Sequence, residues 1–211
     1  MVNSQRFLLV CFMWLASSTV VFADDHPAKE LVETTTQELL STFKTEKEAI
    51  DADPNVLREI VQNKIIGHFD FIRMSKLALG KHWRKASVEQ RKEFATQFRQ
   101  LLLNTYAKAL YRFADAEIEY DPVRTEEGAR YVDVVSAVNN GGEPVSVTYR
   151  LHEKKEAWKV FNITIEGVSL ITNFRSTFTS FINKKGIDAL NLDLAKRNEK
   201  AAKGELEDEP A

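Results

Sequence analysis

The chain has 211 residues, of which 29 are Lys or Arg and 31 are Asp or Glu, so its formal net charge at pH 7 is −2. This near balance, without a dense run of Lys and Arg, excludes a protein that binds nucleic acid or another polyanion through bulk charge. A chain of this length suits one domain with a single substantial core.

The first 23 residues have the pattern of a secretory signal peptide. A lone cation, Arg6, precedes an apolar run over residues 7–15, and small residues lead to a cleavage site after Ala23. The run is shorter than the about 20 residues that a membrane-spanning helix needs, which argues against an uncleaved anchor. Cys11 is the one cysteine of the sequence, so cleavage leaves a mature chain without disulfides. We therefore expect a single exported domain over residues 24–195.

Helical periodicity dominates the first half of that domain. The spacing of the apolar residues predicts four helices, over residues 27–43, 54–67, 69–79 and 88–113. Asp53 before Pro54 indicates a cap followed by proline at the first helical position. Ser87 with Gln90 three residues later is a capping-box signature, and it opens the longest of the four helices.

After the longest helix, the period of the apolar pattern changes from 3.6 to 2, which predicts strands. The predicted strands cover residues 116–120, 130–138, 145–152 and 158–165. Residues 139–142, Asn-Asn-Gly-Gly, tolerate positive φ and predict a hairpin turn. In the last strand, alternation predicts that Lys159, Phe161, Ile163 and Ile165 share one face.

From Val168 onward the apolar residues return to helical spacing, and a last helix is predicted after Gly186. The tail over residues 196–211 is rich in Lys, Glu and Ala and is predicted to be disordered. Helices first and strands afterwards predict an α+β fold. In this fold, N-terminal helices pack on a curved four-stranded antiparallel meander, and C-terminal helices follow.

No residue pattern indicates catalysis or a metal site. The histidines are far apart in the sequence and form no ligand group with a cysteine: His26, His68, His82 and His152. Gly167 and Ser169 resemble the start of the nucleophile elbow of hydrolases, but Leu170 and Ile171 stand where the closing glycine belongs. We therefore expect no catalytic residue and no metal.

Several segments carry the resemblance to a known family. They are Glu-Gly-Val-Ser-Leu-Ile-Thr at residues 166–172, Lys-Gly-Ile-Asp-Ala-Leu at 185–190, and Leu-Gly-Lys-His-Trp-Arg-Lys-Ala-Ser at 79–87, with Gln90-Arg91 and Phe98-Arg99 downstream. Over most of the mature chain, the sequence resembles the MlaC-type (toluene-tolerance) periplasmic phospholipid-binding proteins of the Mla lipid-asymmetry pathway. The resemblance implies a hydrophobic pocket, enclosed between the curved sheet and the helices, that holds the acyl tails of a glycerophospholipid. It also implies that the head group stays near solvent.

The resemblance further implies a carrier in the periplasm and not an enzyme. Phospholipid is the expected cargo, and no cofactor is expected. The implied partners are an inner-membrane ABC transporter complex with an MCE-domain protein and an outer-membrane lipoprotein associated with a porin. Shuttling between these complexes would maintain the lipid asymmetry of the outer membrane.

The alternation of faces, together with the resemblance, selects residues expected to line the pocket. They come from the sheet, from the junction after the last strand and from the facing helices: Val134, Val147, Tyr149, Leu151, Phe161, Ile163, Val168, Leu170, Ile171, Leu77, Tyr106 and Leu110. Two other functions stay open at this stage. Small cone-shaped domains with the same order of elements host isomerases and dehydratases, and an apolar surface also suits a chaperone for peptides or outer-membrane proteins.

Overall fold

The computed structural model describes residues 26–126 and 128–203. Within these ranges the helices are α1 (Pro27–Thr45), α2 (Lys47–Ala52), α3 (Pro54–Ile65), a 3₁₀ turn (Ile66–His68), α4 (Phe71–Leu79), α5 (Lys81–Lys85), α6 (Val88–Arg112), α7 (Leu170–Lys185) and α8 (Ile187–Ala202). The strands are β1 (Glu117–Tyr120), β2 (Tyr131–Asn139), β3 (Val145–Lys154), β4 (Ala157–Ile165) and β5 (Val168–Ser169). This order confirms the α+β class. The predicted signal peptide lies outside the described residues.

Side-chain caps determine where the N-terminal helices begin. Asp53 accepts a hydrogen bond from the backbone N–H of Asn55 at 2.8 Å, ahead of Pro54, the first residue of α3. At α6, Ser87 Oγ accepts from Gln90 N at 3.1 Å, and the Gln90 side-chain oxygen accepts from Ser87 N at 2.9 Å. This reciprocal pair satisfies two backbone donors that a helix N-terminus otherwise leaves free. The predicted capping box is therefore confirmed.

The strands form one antiparallel sheet in the order β1-β2-β3-β4-β5. The first four are the predicted meander, and β5 is a further strand of two residues that the helical pattern of the sequence did not indicate. The chain turns back from β4 to β5 at Glu166 and Gly167, whose φ angles are 48° and 78°. Glycine adopts this left-handed conformation without a steric penalty. As a result, Val168 lies directly opposite Ile165.

A β-bulge interrupts the ladder between β3 and β4. Tyr149 lies opposite Ile163, but Leu151 lies opposite Val160, so Phe161 is an extra residue in β4. Side chains along a strand alternate between the two faces of the sheet. One extra residue shifts this alternation, so the residues before it point to the opposite face from the one that simple alternation predicts. Val160 and Ile163 consequently share a face, and Phe161 points to the other one. The prediction that Phe161 and Ile163 share a face is wrong.

Ring contacts show where Phe161 points. Its ring centre lies 5.7 Å from that of Tyr131 and 5.3 Å from that of His152. Tyr131 and His152 lie directly opposite each other on β2 and β3 and therefore share a face. Lys159 lies opposite His152 and belongs to the same face. We call this the outer face, and we call the opposite side the inner face, which carries Val132, Val134, Ser136, Val147, Tyr149, Leu151, Val160, Ile163 and Ile165.

Three hydrophobic clusters hold the elements together. The first joins α4, α6, α7 and α8 around Phe94 and Phe98. The second joins α1, α2, α3 and α6 around Phe43. The third packs Ala28 and Val32 of α1 onto the inner face of the sheet. The long helix α6 takes part in both helical clusters and connects them.

The last helix is longer than the sequence predicts, because residues 196–202 are helical and not disordered. Asn198 is buried in this part of α8, and its Nδ2 donates to the Gln97 backbone oxygen at 2.9 Å. Its side-chain oxygen accepts from Asn104 Nδ2 at 3.2 Å. These bonds attach the end of α8 to α6, a partner that composition alone does not reveal. Residues 204–211 of the predicted tail lie outside the described residues.

Candidate functional site

Side chains on the inner face form rows across the sheet, because residues directly opposite each other point to the same side. One row joins Val132, Leu151 and Val160, which are all fully buried. Helix α1 covers this row through Ala28 and Val32. This end of the inner face is therefore a closed core.

On β3, β4 and β5, exposure rises along the inner face away from α1, whereas Val134 and Ser136 on β2 stay buried. Tyr149 and Ile163 in the next row, and Val147 and Ile165 in the row after it, are only partly buried. Val168 on β5 extends the last of these rows and is 61% exposed. On these three strands the inner face therefore changes from a closed core into a partly exposed apolar surface, with Val168 at its rim.

The long helix α6 does not close this surface. Most of its apolar residues belong to the two helical clusters, and none belongs to the cluster on the inner face. Tyr106 belongs to none of the three clusters and is partly buried, and Leu110 one turn later is 37% exposed. Asn140 Nδ2 donates to the Arg112 backbone oxygen at 3.1 Å, which ties the end of α6 to the β2–β3 turn. Tyr106 and Leu110 thus lie in the half of α6 that reaches the open end of the sheet.

Three tyrosine hydroxyls in this region have shifted pKa values. Burial raises the pKa of Tyr149 to about 12, and burial also raises the pKa of Tyr120, which lies opposite Ser136 on the inner face. Burial likewise raises the pKa of Tyr106. Loss of water disfavours the charged phenolate, which is why each shift is upward. These three hydroxyl groups are therefore protonated at physiological pH.

The structure places the predicted pocket residues in four different surroundings. Two of them are fully buried in the protein's own core: Val134 and Leu151. Five are partly buried, on the open part of the inner face, on α6 or at the first position of α7: Val147, Tyr149, Ile163, Tyr106 and Leu170. Two are exposed at the rim and not deep inside: Val168 and Leu110. The remaining three lie at a cleft against the outer face: Leu77, Phe161 and Ile171.

That outer cleft has a volume of about 290 Å³ and lies between the sheet and helices α4 and α7. It is lined by three arginines, Arg73, Arg150 and Arg175, beside the apolar residues Leu77, Phe161 and Ile171. We call it the arginine cleft. Sequence reasoning missed the arginines because they come from α4, β3 and α7, and no local spacing connects them.

A second outer cleft, of about 750 Å³, shares Arg73 and Tyr131 with the arginine cleft. Asp70 lies beside it and is buried, and it accepts hydrogen bonds from Lys154 Nζ at 2.9 Å and from Arg73 N at 3.1 Å. His152 Nε2 lies 3.1 Å from the same carboxylate. Burial acts to raise the pKa of Asp70, but the bonds from Lys154, Arg73 N and His152 outweigh it and hold the pKa below its usual value. The ionised carboxylate anchors the start of α4 to β3.

Within residues 26–126 and 128–203, no three His, Cys, Asp or Glu side chains gather into a group that would hold a metal ion. No helix within the same ranges combines the length and the apolarity needed to cross a bilayer. Helix α6 has 25 residues but carries charged side chains along its length.

Comparisons with known proteins agree on one family. The sequence model described as MlaC protein matches residues 33–196. Toluene tolerance protein ttg2D of Pseudomonas putida is 30% identical over 187 residues, which cover 87% of this chain and 85% of that protein. The intermembrane phospholipid transport system binding protein MlaC of Haemophilus influenzae is 26% identical over 164 residues, covering 76% of this chain and 77% of that protein.

The fold has a solved counterpart as well. The phospholipid-binding protein from Ralstonia solanacearum, solved in complex with a phospholipid, superposes with a TM-score of 0.77 and 32% sequence identity. The match covers 84% of this chain and 99% of that one. Sequence and fold agree along nearly the whole described domain, and the chain therefore belongs to the MlaC family.

Proposed function

We propose that this protein is a periplasmic phospholipid carrier. It takes a glycerophospholipid from one membrane, holds the acyl tails against its open apolar surface and releases the lipid at the other membrane. The proposed exchange partners are an inner-membrane ABC transporter complex with an MCE-domain protein and an outer-membrane lipoprotein–porin complex. The proposed outcome of this transport is the lipid asymmetry of the outer membrane.

One observation carries the phospholipid part of the proposal. The Ralstonia solanacearum protein was solved with a phospholipid bound, and nearly all of that chain has a counterpart here. A likeness of this extent, with about a third of the residues identical, includes the elements that would surround a ligand and not only the general fold. The name of the Haemophilus influenzae relative supports the same class of cargo.

The inner face supplies a suitable surface for the tails. We assign the tail contacts to the partly buried residues that point toward the open region: Val147, Tyr149, Ile163, Ile165, Tyr106 and Leu170. Val168 and Leu110 at the rim are the first apolar side chains that an entering tail meets. Val134 and Leu151 support the surface from within the core.

The energetics of transfer explain why such a carrier needs no catalytic group. Each methylene removed from water contributes about 0.8 kcal/mol, so two tails with roughly 30 methylenes represent on the order of 20 kcal/mol. Escape of a lipid from a bilayer into water is therefore very slow. A carrier whose apolar surface nearly matches the bilayer keeps the net free-energy change of loading and unloading small. Binding alone is sufficient for this task, so we assign no catalytic residue and no cofactor.

Mass spectrometry tests the cargo directly. Protein isolated from its native compartment without detergent is measured intact under native conditions, and its lipids are then extracted and identified. The expected result is a mass increment equal to one glycerophospholipid, which disappears after denaturation and is recovered in the extract. A protein that carries no lipid, and that takes none up from phospholipid vesicles, contradicts the proposal.

Transport and partners need a separate measurement. Purified protein is incubated with donor vesicles that contain a fluorescent phospholipid and with acceptor vesicles that carry either the MCE-domain complex or the lipoprotein–porin complex. We expect transfer to be faster with acceptors that carry a complex than with protein-free acceptors. Equal rates with all acceptors would leave lipid binding intact and remove the assignment of these partners.

A further inference from the structure

The arginine cleft collects positive charge without an acidic counterpart. Among its lining residues are Arg73, Arg150 and Arg175, and no Asp or Glu from the described part of the chain lines it. Arg150 has an acidic partner outside the lining, since its Nε lies 3.5 Å from an oxygen of Asp133. Arg73 and Arg175 form no ion pair among the described residues. The cleft thus holds two guanidinium groups without an acidic partner among the residues that the structure describes, Arg73 and Arg175, beside Arg150, which has one.

Arg73 and Arg175 are each held in place by part of the guanidinium group. Arg175 Nε donates to the Leu77 backbone oxygen at 2.7 Å, which positions the group between α7 and α4. Arg73 Nη2 donates to Tyr131 Oη at 3.0 Å, and its planar group lies over the ring of Phe161. Arg73 Nε is buried and has no hydrogen-bond partner among the described residues. Both side chains are therefore oriented while several of their N–H donors stay unused.

Like charges brought together on a folded protein repel each other, and the arrangement becomes favourable when an anion binds among them. We propose that the arginine cleft binds the oxyanion of a phosphate group. Guanidinium groups match phosphate oxygens with pairs of parallel hydrogen bonds, and fixed orientation reduces the entropy lost on binding. This site lies on the outer face, and the inference does not depend on what the inner face carries.

The neighbouring polar groups favour a phosphate over a carboxylate. Besides the arginines, Asn162, Ser169 and Thr172 line the cleft. Asn162 Nδ2 makes only a long contact of 3.5 Å with Thr164 Oγ1, so it remains available as a donor. A phosphate presents more acceptor oxygens than a carboxylate and satisfies donors that converge from α4, β3, β4 and α7. The apolar residues Leu77, Phe161 and Ile171 also line the cleft, and we place an organic group attached to the phosphate beside them.

Calorimetric titration with inorganic phosphate at constant ionic strength tests the site. We expect saturable binding to the purified protein and a loss of affinity of at least about tenfold in both Arg73→Gln and Arg175→Gln. Arg150→Gln removes a third, exposed arginine of the cleft and provides the same readout if Arg73→Gln does not fold. Arg99→Gln is the matched control, because Arg99 is exposed on α6 and does not line the cleft. Absence of saturable binding, or an equal loss in Arg99→Gln, overturns the inference.

A second arm identifies the source of the phosphate group. Monomeric dihexanoylphosphatidic acid is titrated into protein saturated with inorganic phosphate. Displacement of the phosphate from the unmodified protein by this lipid assigns the site to a lipid head group, and phosphate binding without displacement assigns it to free phosphate. Either result retains the oxyanion site, and neither depends on lipid held at the inner face.

Discussion

The guanidinium carbon of Arg73 lies 4.2 Å from the centre of the Phe161 ring. Arg73 belongs to α4 and Phe161 is the bulged residue of β4, so this cation–π contact joins a helix to the outer face of the sheet. Phe161 reaches Arg73 because the bulge separates it from the face of Ile163. Phe161 and Ile163 are only two positions apart, but they have different roles. Phe161 holds α4 to the sheet, and Ile163 lies on the inner face.

This separation predicts different effects of Phe161→Leu and Ile163→Ala. Phe161 is 6% exposed and packs in the first helical cluster, so Phe161→Leu is expected to lower the free energy of unfolding by about 1 to 2 kcal/mol. Its content of bound phospholipid should not change. Ile163→Ala should reduce the lipid content, because Ile163 is partly buried on the inner face. Urea denaturation and lipid extraction measure the two quantities, and lipid loss confined to Phe161→Leu would contradict the assignment.

Val168→Glu tests the rim of the open apolar surface. Val168 is 61% exposed, so the substitution should leave the fold and the unfolding midpoint nearly unchanged. It places a carboxylate where a lipid tail enters, and a charge without a partner beside hydrocarbon is unfavourable. We expect protein purified from cells to lose most of its bound lipid.

Val88→Glu is the matched control for this substitution. Val88 is 55% exposed and is the first residue of α6, where a negative charge is favourable near the helix N-terminus. This variant should keep its lipid. Equal lipid contents in Val168→Glu and Val88→Glu would show that Val168 has no part in binding.

Asp70→Asn tests the carboxylate that anchors α4 to β3. At neutral pH, removal of a buried charge paired with Lys154 and His152 should lower the free energy of unfolding by about 3 kcal/mol. The pKa of Asp70 is held below its usual value in the folded protein, so its contribution is present above about pH 4 and disappears as the pH falls through the folded-state pKa. The stability difference between the two proteins should therefore shrink below pH 4.

Asp115→Asn serves as the control for the pH dependence. Asp115 has a side chain that is 87% exposed and only a long contact of 3.6 Å with Lys44. Exposed ion pairs of this kind contribute little, so this variant should unfold like the unmodified protein at each pH. Urea denaturation at intervals of about one pH unit between pH 3 and pH 7 measures the free energy of unfolding of both variants and of the unmodified protein. A stability difference for Asp70→Asn that does not depend on pH would contradict an ionised anchor.

Tyr149→Phe tests how apolar the inner face is. The pKa of Tyr149 is raised to about 12, so the unfolded chain ionises this phenol near pH 10 while the folded protein keeps it protonated. The folded state then binds more protons, and its stability falls as the pH rises from about 10 to about 12. Tyr149→Phe should reduce this fall. In an alkaline titration followed by phenolate absorbance, the variant should also lack the ionisation step at the highest pH. A titration curve equal to that of the unmodified protein would contradict the burial of the hydroxyl.

Local patterns were sufficient for most of the fold. The cap at Asp53, the capping box at Ser87 and the alternation in β2 and β3 each involve neighbouring residues, so their signals are present in short segments of sequence. The bulge at Phe161 depends on the register between two strands, and alternation within one strand does not show it. The same holds for the end of α8, which is stabilised by bonds from Asn198 to α6.

The α+β class, the order of the main elements and the family follow from the amino-acid sequence, because periodicity, capping residues and motifs are properties of contiguous segments. Packing in three dimensions distinguishes the apolar residues of the closed core from those that stay partly exposed, as Leu151 and Val147 show on the same strand. It also brought Arg73 and Arg175 to one cleft from elements far apart in the chain. Burial and the clustering of charge depend on what packs across a surface, and no single segment contains that information.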